Sequence, residues 1–276
     1  MRRSIAARAL RCIVIAIILL WSGFPILLLV AASLRPSNTL FDVPPKLFFH
    51  PTLDNYTSLV RNWPDFFGNI QNSVIIAVSA TALTVVLSSI AGWVYSRFRS
   101  RALTGSAFFL IFIRMFPPIV ITLPLFPAVN YLHLNDTHIV LIILYSSFYV
   151  SLGTWIMKTF IDEIPRELEE ASWIDGATTF QTIRYVTMPI AAPGAAAVAV
   201  FVLVYAWNEF LFAFIFTTSR AKTAPLVISE MLGSVTGVDW GAVFAAATIQ
   251  LLPVLIFVIF VQRFLIAGLS AGGLKG

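Results

Sequence analysis

The sequence predicts an all-α integral membrane protein with six transmembrane helices, and three observations support this fold class. Of the 276 residues, 59% are hydrophobic and 11% are charged, whereas an average soluble domain is about 25% charged. Apolar stretches long enough to cross a bilayer recur along the whole chain. Lysine and arginine collect in alternate connecting segments, as the positive-inside rule requires of a protein that crosses the membrane repeatedly.

The six apolar stretches lie at about 12–34, 70–95, 107–131, 139–157, 190–216 and 242–264. A transmembrane helix needs roughly 20 apolar residues, and each stretch approaches or exceeds that length. We interpret residues 1–276 as a single transmembrane domain.

The charges predict that both termini are cytoplasmic. Alternate assignment of the loops puts twelve basic residues inside, namely Arg2, Arg3, Arg8, Arg11, Arg97, Arg99, Arg101, Lys158, Arg166, Arg184, Arg263 and Lys275. Five fall outside, namely Arg35, Lys46, Arg61, Arg220 and Lys222.

The basic N-terminus also suits a signal peptide, but the apolar run of about 23 residues exceeds a signal core of about 7–15. We therefore predict a retained first helix.

The second stretch carries small hydroxyl residues, namely Ser73, Ser79, Thr81, Thr84, Ser88 and Ser89. In a bilayer such residues permit close helix packing and interhelical hydrogen bonds. We therefore predict a helix buried in a bundle. The proline-rich segment 35–68 before it is expected on the outer surface, with a short capped helix near residues 52–56.

Arg114 lies inside the third stretch, together with Pro117, Pro118, Pro124 and Pro127. Prolines kink helices, which a membrane tolerates where the helix faces protein or a water-filled cavity. An arginine within a span is costly unless it is paired or reaches the interface. Two interpretations stay open: a charge in a cavity or gate, and an arginine that extends to the cytoplasmic face.

Asn208 and Glu209 lie in the outer half of the fifth stretch. A carboxylate within a span indicates a functional site by default. The alternative is a structural pair with a neighbouring subunit.

His133, Asp136 and His138 occupy the loop 132–138 and suggest a metal site. Metal ligands need fixed geometry and supporting contacts, which so short a turn between spans rarely supplies. We predict no metal site there.

The most polar segment is the connection 158–189 between the fourth and fifth stretches. Pro165 is suited to a helix start, and the glutamates that follow it suit the positive end of the helix dipole. Gly176 is expected to end that helix, and Thr178 or Thr179 to cap a second one. The segment predicts a helix–turn–helix on the cytoplasmic surface.

The order of residues in this segment resembles the EAA loop of ATP-binding cassette (ABC) importer permeases. The family pattern is Glu-Ala-Ala, three residues, Gly, nine residues, Ile, one residue, Leu-Pro. Here it reads Glu170-Ala171-Ser172, three residues, Gly176, nine residues, Val186, one residue, Met188-Pro189. The spacing is fully kept. The resemblance extends over the whole chain and is strongest to the MalG-like carbohydrate-uptake family, including the run Trp207-Asn208-Glu209-Phe210 and the tail 268–276.

This resemblance implies a type I importer permease in the bacterial cytoplasmic membrane, working with a binding protein. It implies coupling to a partner ATPase through Glu170, Ala171, Ser172, Trp173, Asp175 and Gly176. The implied partners are a second, MalF-like permease, an ATPase dimer that holds ATP and Mg, an extracytoplasmic substrate-binding protein and membrane lipid.

The resemblance also implies a sugar-type substrate, with polyols, glycosyl-glycerols and glycerol phosphate left open. The candidate pathway residues are Tyr205, Trp207, Asn208, Glu209 and Arg114. In the alternative, the partner permease supplies most of the sugar contacts and these residues gate or seal the path.

The sequence contains no Gly-x-x-x-x-Gly-Lys-Ser/Thr loop and no His-Glu-x-x-His. We therefore predict a transport subunit with no catalytic residue, cofactor or metal of its own. A secondary transporter and an integral-membrane enzyme stay open as alternatives. The net charge of +5 is scattered around the spans, which argues against nucleic acid as a partner.

Overall fold

The computed structural model describes residues 5–44, 48–235 and 237–272, and the side chains of residues 10–260 within these ranges. Every regular element in these ranges is helical, which confirms the predicted fold class. The basic residues Arg2, Arg3, Lys46 and Lys275 and the end of the tail, 273–276, lie outside the described residues.

Thirteen α-helices follow one another in the described ranges. They are α1 Ile5–Ser33, α2 Asp54–Asn62, α3 Phe66–Arg97, α4 Arg101–Arg114, α5 Pro118–Tyr131, α6 His138–Asp162, α7 Arg166–Ile174, α8 Thr179–Thr182, α9 Met188–Ile190, α10 Ala192–Trp207, α11 Leu211–Phe216, α12 Ala224–Leu232 and α13 Trp240–Gly272. A π-helical turn, Ile183–Thr187, joins α8 to α9.

Among the described residues, four helices are long and apolar enough to cross a membrane by themselves, and two bent pairs raise the number to six if each pair forms one span. The four are Leu10–Ser33, Phe66–Arg97, His138–Asp162 and Trp240–Phe260. The pairs are α4 with α5, bent by 98°, and Thr179–Ile190 with α10, bent by 75°. Each of the six apolar stretches therefore coincides with helix, but not always with one continuous helix.

The third stretch is broken where the sequence analysis expected a kink. Helix α4 ends at Arg114 and α5 begins at Pro118. Pro117, which precedes α5, has an extended backbone with φ −58° and ψ 135°, because a following proline excludes the α-helical region. The fifth stretch is also interrupted, between Trp207 and Leu211.

Contacts divide the chain into two compact units. The first contains the described residues up to Phe67 and Val227–Leu252, and the second contains Gly68–Leu226 and the described residues from Pro253. In the first unit, the buried amide of Asn55 donates to the carbonyl oxygens of Ser33 (2.8 Å) and Arg35 (2.7 Å). Asn55 belongs to α2, so the predicted short helix is present and anchors the preceding loop.

The centre of the second unit is formed by α3, α6 and α10. Five of the six hydroxyl residues of the second stretch are buried, as predicted for a helix inside a bundle. The hydroxyl of Ser146 on α6 donates to the carbonyl oxygen of Ala80 on α3 at 3.2 Å. A Cβ at Gly92 would lie 2.9 Å from the backbone nitrogen of Lys158, so α3 and α6 approach each other closely at this point.

The substitution Gly92→Ala is expected to destabilise the bundle, because the obstructing atom is backbone and cannot rotate away. Overpacking of this kind costs about 1–3 kcal/mol. Thermal unfolding of the purified protein in detergent, followed by tryptophan fluorescence, measures the loss. Gly105→Ala on α4 is the matched control, since nothing lies within 4 Å of its added methyl group. Equal melting temperatures for the two variants would contradict the close approach.

Candidate functional site

The polar segment between α6 and α10 begins with the helix–turn–helix that the sequence predicts. Helix α7 ends at Ile174, and Gly176 follows it with φ +85°. The backbone N–H of Gly176 donates to the carbonyl oxygen of Trp173, and that of Ala177 to Ser172, both at 3.0 Å. This is the hydrogen-bond pattern of a glycine-terminated helix, so the predicted helix end is confirmed.

Thr178, rather than Thr179, caps the second helix. Its hydroxyl accepts a hydrogen bond from the backbone N–H of Gln181, and the side-chain oxygen of Gln181 accepts one from the backbone N–H of Thr178. Such a reciprocal capping box fixes the start of a helix. The hydroxyl of Ser172 then lies 2.8 Å from that of Thr182 and holds α7 against α8.

Glu169 on α7 is buried, with 1% of its surface exposed. One carboxylate oxygen accepts a hydrogen bond from Arg97 Nε at 2.9 Å. The other accepts one from the hydroxyl of Thr187 at 2.6 Å and one from the indole N–H of Trp93 at 3.2 Å. We call these four residues the Glu169 network; it joins the end of α3 to α7 and to the π-helical turn that follows α8.

Burial by itself raises the pKa of Glu169, but its hydrogen bonds and the charge of Arg97 outweigh burial and hold the pKa below its ordinary value. The hydrogen bond from Arg97 has the largest lowering effect, followed by that from Thr187. Glu169 is therefore ionised at neutral pH and forms a buried ion pair with Arg97.

The exposed surface of the segment carries large apolar side chains. Trp173, Ile174, Phe180 and Tyr185 are 44%, 87%, 69% and 68% exposed. We call these residues, together with the exposed Glu170, the hairpin face. Exposed apolar groups of this size on a polar segment indicate an interaction surface.

The six predicted coupling residues do not all belong to one surface. Ala171, Asp175 and Gly176 are exposed like Glu170 and Trp173, whereas Ser172 is partly buried. The sequence analysis did not identify the ion pair of Glu169 and Arg97. The two residues are 72 positions apart in the chain, so no local spacing connects them.

Of the predicted pathway residues, Tyr205 forms part of a row of aromatic rings. It stacks on Tyr149 with ring centroids 5.8 Å apart and on Phe201 at 6.4 Å. Tyr149 in turn contacts the ring of Phe148, edge to face, at 5.4 Å. We call Phe148, Tyr149, Phe201 and Tyr205 the aromatic row. Phe201 and Tyr205 are about half exposed, so the row presents two ring faces.

Arg114 reaches the same row from the break between α4 and α5. Its guanidinium carbon lies 5.7 Å from the centroid of the Phe148 ring, within the range of a cation–π contact. Its Nη1 atom is buried and makes no hydrogen bond with the described residues. The structure thus brings Arg114 and Tyr205 together through Tyr149 and Phe148, a juxtaposition that the sequence did not predict.

The remaining pathway candidates occupy the break between α10 and α11. Trp207 is buried in the core, and the Asn208 amide donates to the carbonyl oxygen of Val204 at 2.8 Å. The Glu209 carboxylate accepts hydrogen bonds from the backbone N–H groups of Phe212 (2.9 Å) and Ala213 (3.3 Å). Glu209 therefore caps α11, a local role that the sequence analysis did not consider.

Asp136, in the loop where the sequence suggested a metal site, binds backbone donors. Its two oxygens accept hydrogen bonds of 2.9–3.2 Å from the N–H groups of residues 218–221. Burial opposes ionisation, but these N–H groups, with Arg220 and Ala221 first, hold the pKa of Asp136 well below its ordinary value. Within the described residues, no group of three or more His, Cys, Asp or Glu side chains is placed to hold a metal ion.

Glu169→Gln is expected to loosen the segment from α3, because the neutral amide leaves the buried charge of Arg97 without a counter-ion. Breaking a buried pair from one side costs about 3 kcal/mol. Since the pKa of Glu169 is lowered in the folded state, its contribution is complete above the ordinary glutamate pKa of about 4.3 and is lost as the pH falls through the lower, folded value.

Hydrogen exchange of residues 166–190 and thermal unfolding between pH 7 and pH 3 measure both effects. The control is Glu170→Gln, which removes the same charge from the exposed position next to Glu169. If Glu169→Gln exchanged as slowly as the control at pH 7, the network would have no anchoring role.

Comparison with known proteins identifies the family. The binding-protein-dependent transport system inner membrane component family matches residues 84–270. The chain is 31% identical to the trehalose/maltose transport system permease protein MalG of Thermococcus litoralis over 278 residues, covering 100% of both chains. It is 35% identical to the trehalose transport system permease protein SugB of Mycobacterium tuberculosis, covering 91% of this chain and 92% of SugB.

A further relative, the sulfoquinovosyl glycerol transport system permease protein SmoH of Agrobacterium fabrum, is 32% identical and covers 98% of this chain and 95% of SmoH. The fold is similar to a chain in the crystal structure of a bacterial ABC transporter involved in the import of the acidic polysaccharide alginate. The TM-score is 0.75 at 19% identity, with 95% of this chain and 99% of that chain covered. The chain therefore belongs to the family of binding-protein-dependent transport system inner membrane components.

Proposed function

We propose that this chain is the permease subunit of an ATP-driven importer that carries a sugar or sugar derivative across the cytoplasmic membrane. The family consists of transport components, which disfavours the secondary-transporter and enzyme alternatives. The sugar substrate is supported by the names of the relatives, which are permeases for trehalose and maltose or for sulfoquinovosyl glycerol. The observation that carries the proposal is the exposed hairpin face, held to α3 by the Glu169 network.

In this proposal the hairpin face docks onto a partner ATPase, which binds the ATP and Mg. Glu170 offers a charge, and Trp173 and Ile174 offer apolar surface next to it. Because Glu169 and Arg97 form a buried ion pair, a displacement of the segment is passed to α3. ATP-driven closure of the ATPase dimer would then rock the helices as rigid bodies between inward-open and outward-open states.

The other partners follow from the same proposal. A second, MalF-like permease completes the path, and an extracytoplasmic binding protein delivers the substrate. Both termini and the hairpin face are then cytoplasmic, in agreement with twelve basic residues on that side against five on the other.

The substrate path includes the aromatic row. Sugar rings present apolar C–H faces that pack on aromatic rings, and binding pockets combine such rings with a few polar groups. Tyr205 and Phe201 offer half-exposed ring faces. Arg114 adjoins the row through Phe148 and forms no ion pair with the described residues, which favours, within the sugar class, a substrate that carries an acidic group.

Glu170→Lys is expected to uncouple transport from ATP hydrolysis, because it reverses the exposed charge of the hairpin face. Like-charge contact across an interface costs several kcal/mol, so substrate-stimulated ATPase activity of the reconstituted complex should fall at least about tenfold. Glu163→Lys, at an exposed glutamate outside the hairpin face, is the matched control. If substrate stimulated the ATPase activity of Glu170→Lys as strongly as that of the wild type, the hairpin face would have no docking role.

Tyr205→Ala is expected to raise the KM for uptake by roughly three- to tenfold, since a stacked ring contributes about 0.5–1.5 kcal/mol. Uptake into proteoliposomes is measured with neutral and acidic sugars, and a larger kcat/KM for the acidic ones supports the role of Arg114. The control is Tyr131→Ala, which removes an exposed tyrosine outside the aromatic row. An unchanged KM for every transported sugar would place Tyr205 outside the path.

A further inference from the structure

A cavity that no role yet explains lies at one end of the second unit. It has a volume of about 930 Å³ and is enclosed by the C-terminal ends of α3 and α6, the start of α4 and the start of α7. Because α3 and α6 are candidate spans that both end here, the cavity lies at the depth where apolar helix gives way to polar chain. That depth is the headgroup layer of a bilayer.

The walls of the cavity carry an excess of positive charge. Its lining contains four cationic residues, Arg97, Arg99, Lys158 and Arg166, and two carboxylates, Asp162 and Glu167. Two of the cations are neutralised within the protein, since Arg97 is paired with Glu169 and Lys158 with Asp162.

Two cations, Arg99 and Arg166, and one carboxylate, Glu167, are left to act on a ligand, so the remaining excess is one positive charge. Arg166 donates to the backbone carbonyl oxygens of Ser96 (3.2 Å) and Arg97 (3.4 Å), which fixes its guanidinium group but does not neutralise it. Arg99 is exposed and forms no ion pair with any described residue. An arginine held in place by backbone carbonyls, with a second arginine in the lining of the same cavity, presents donors in the planar geometry that suits a phosphate group.

The cavity is amphipathic as well as basic. Tyr95 and Trp155 contribute to its lining, and aromatic residues of these two types are enriched where a membrane protein meets the headgroup layer. Phe108 on α4 also lines it and is 67% exposed, and α4 continues with the exposed side chains of Phe109, Ile111 and Phe112. A ligand with a phosphate in the cavity would find an apolar surface beside it for a hydrocarbon chain.

We propose that this cavity binds a phosphate group, and that an anionic membrane phospholipid supplies it. The phosphate contacts Arg99 and Arg166, the headgroup lies against Tyr95 and Trp155, and an acyl chain follows the exposed face of α4. Basic pockets between membrane helices on the cytoplasmic side are suited to such headgroups. A lipid bound there touches the start of α4 and the start of α7 at once.

The test uses the full-length chain, purified in mild detergent with its co-purifying subunits. Native mass spectrometry follows the binding of phosphatidylglycerol, with zwitterionic phosphatidylcholine as the reference lipid. The proposal expects tighter binding of phosphatidylglycerol and a loss of about fivefold in affinity in Arg99→Gln, the effect of one cation near a membrane surface. Arg101→Gln is the matched control, because Arg101 is an exposed arginine two positions away that does not line the cavity.

Each alternative result overturns a defined part of the proposal. Equal losses in Arg99→Gln and Arg101→Gln would mean that general surface charge, and no site, attracts the lipid. Because both lipids carry a phosphodiester group, equal binding would mean that the net charge of the headgroup plays no part, which would overturn an anionic lipid as the occupant. Displacement of phosphatidylglycerol by an equal concentration of glycerol phosphate would assign the cavity to a soluble phosphate ester and overturn the lipid as its source. Since Arg99 is exposed, its substitution leaves the fold intact, and the melting temperature checks this.

Discussion

The buried ion pair between Glu169 and Arg97 is the interaction on which the functional surface depends. Removing a carboxylate and a guanidinium group from water costs several kcal/mol for each ion. The cost is offset because Thr187 and Trp93 donate to the remaining lone pairs of the carboxylate. As a result, the segment after α6 is fixed to the bundle. The pair acts together with Arg166, which donates to the carbonyl oxygens of Ser96 and Arg97 and also ties the start of the segment to the end of α3.

The helix breaks are subject to the need to satisfy backbone hydrogen-bond donors. Each break frees backbone N–H groups, and a group left without a partner in a membrane costs several kcal/mol. Glu209 accepts from two of these groups at the start of α11. Asp136 accepts from four N–H groups of the loop that follows α11. Both carboxylates suggested a chemical function in the sequence. In the structure Glu209 satisfies backbone donors at a helix break, and Asp136 satisfies those of a loop.

The sequence predicted the features that depend on neighbouring residues. The helix end at Gly176 and the cap at Thr178 follow from local backbone chemistry, and the buried second stretch follows from its small residues. The sequence could not predict the partners of Glu169, which come from 18, 72 and 76 residues away. Prolines indicated that the third stretch would bend, but the 98° angle depends on packing, as does the meeting of Arg114 with the aromatic row.

The π-helical turn Ile183–Thr187 explains how one short helix serves two partners. Thr182 bonds to Ser172 and Thr187 to Glu169, so both must point towards α7. In a regular α-helix, residues five apart differ by about 140° around the axis, whereas i→i+5 hydrogen bonding brings them onto nearly the same side. The turn thus behaves as a one-residue insertion that realigns the helix. A regular α-helix would give the same alignment with one residue fewer between the two threonines, since residues four apart differ by only about 40° around the axis.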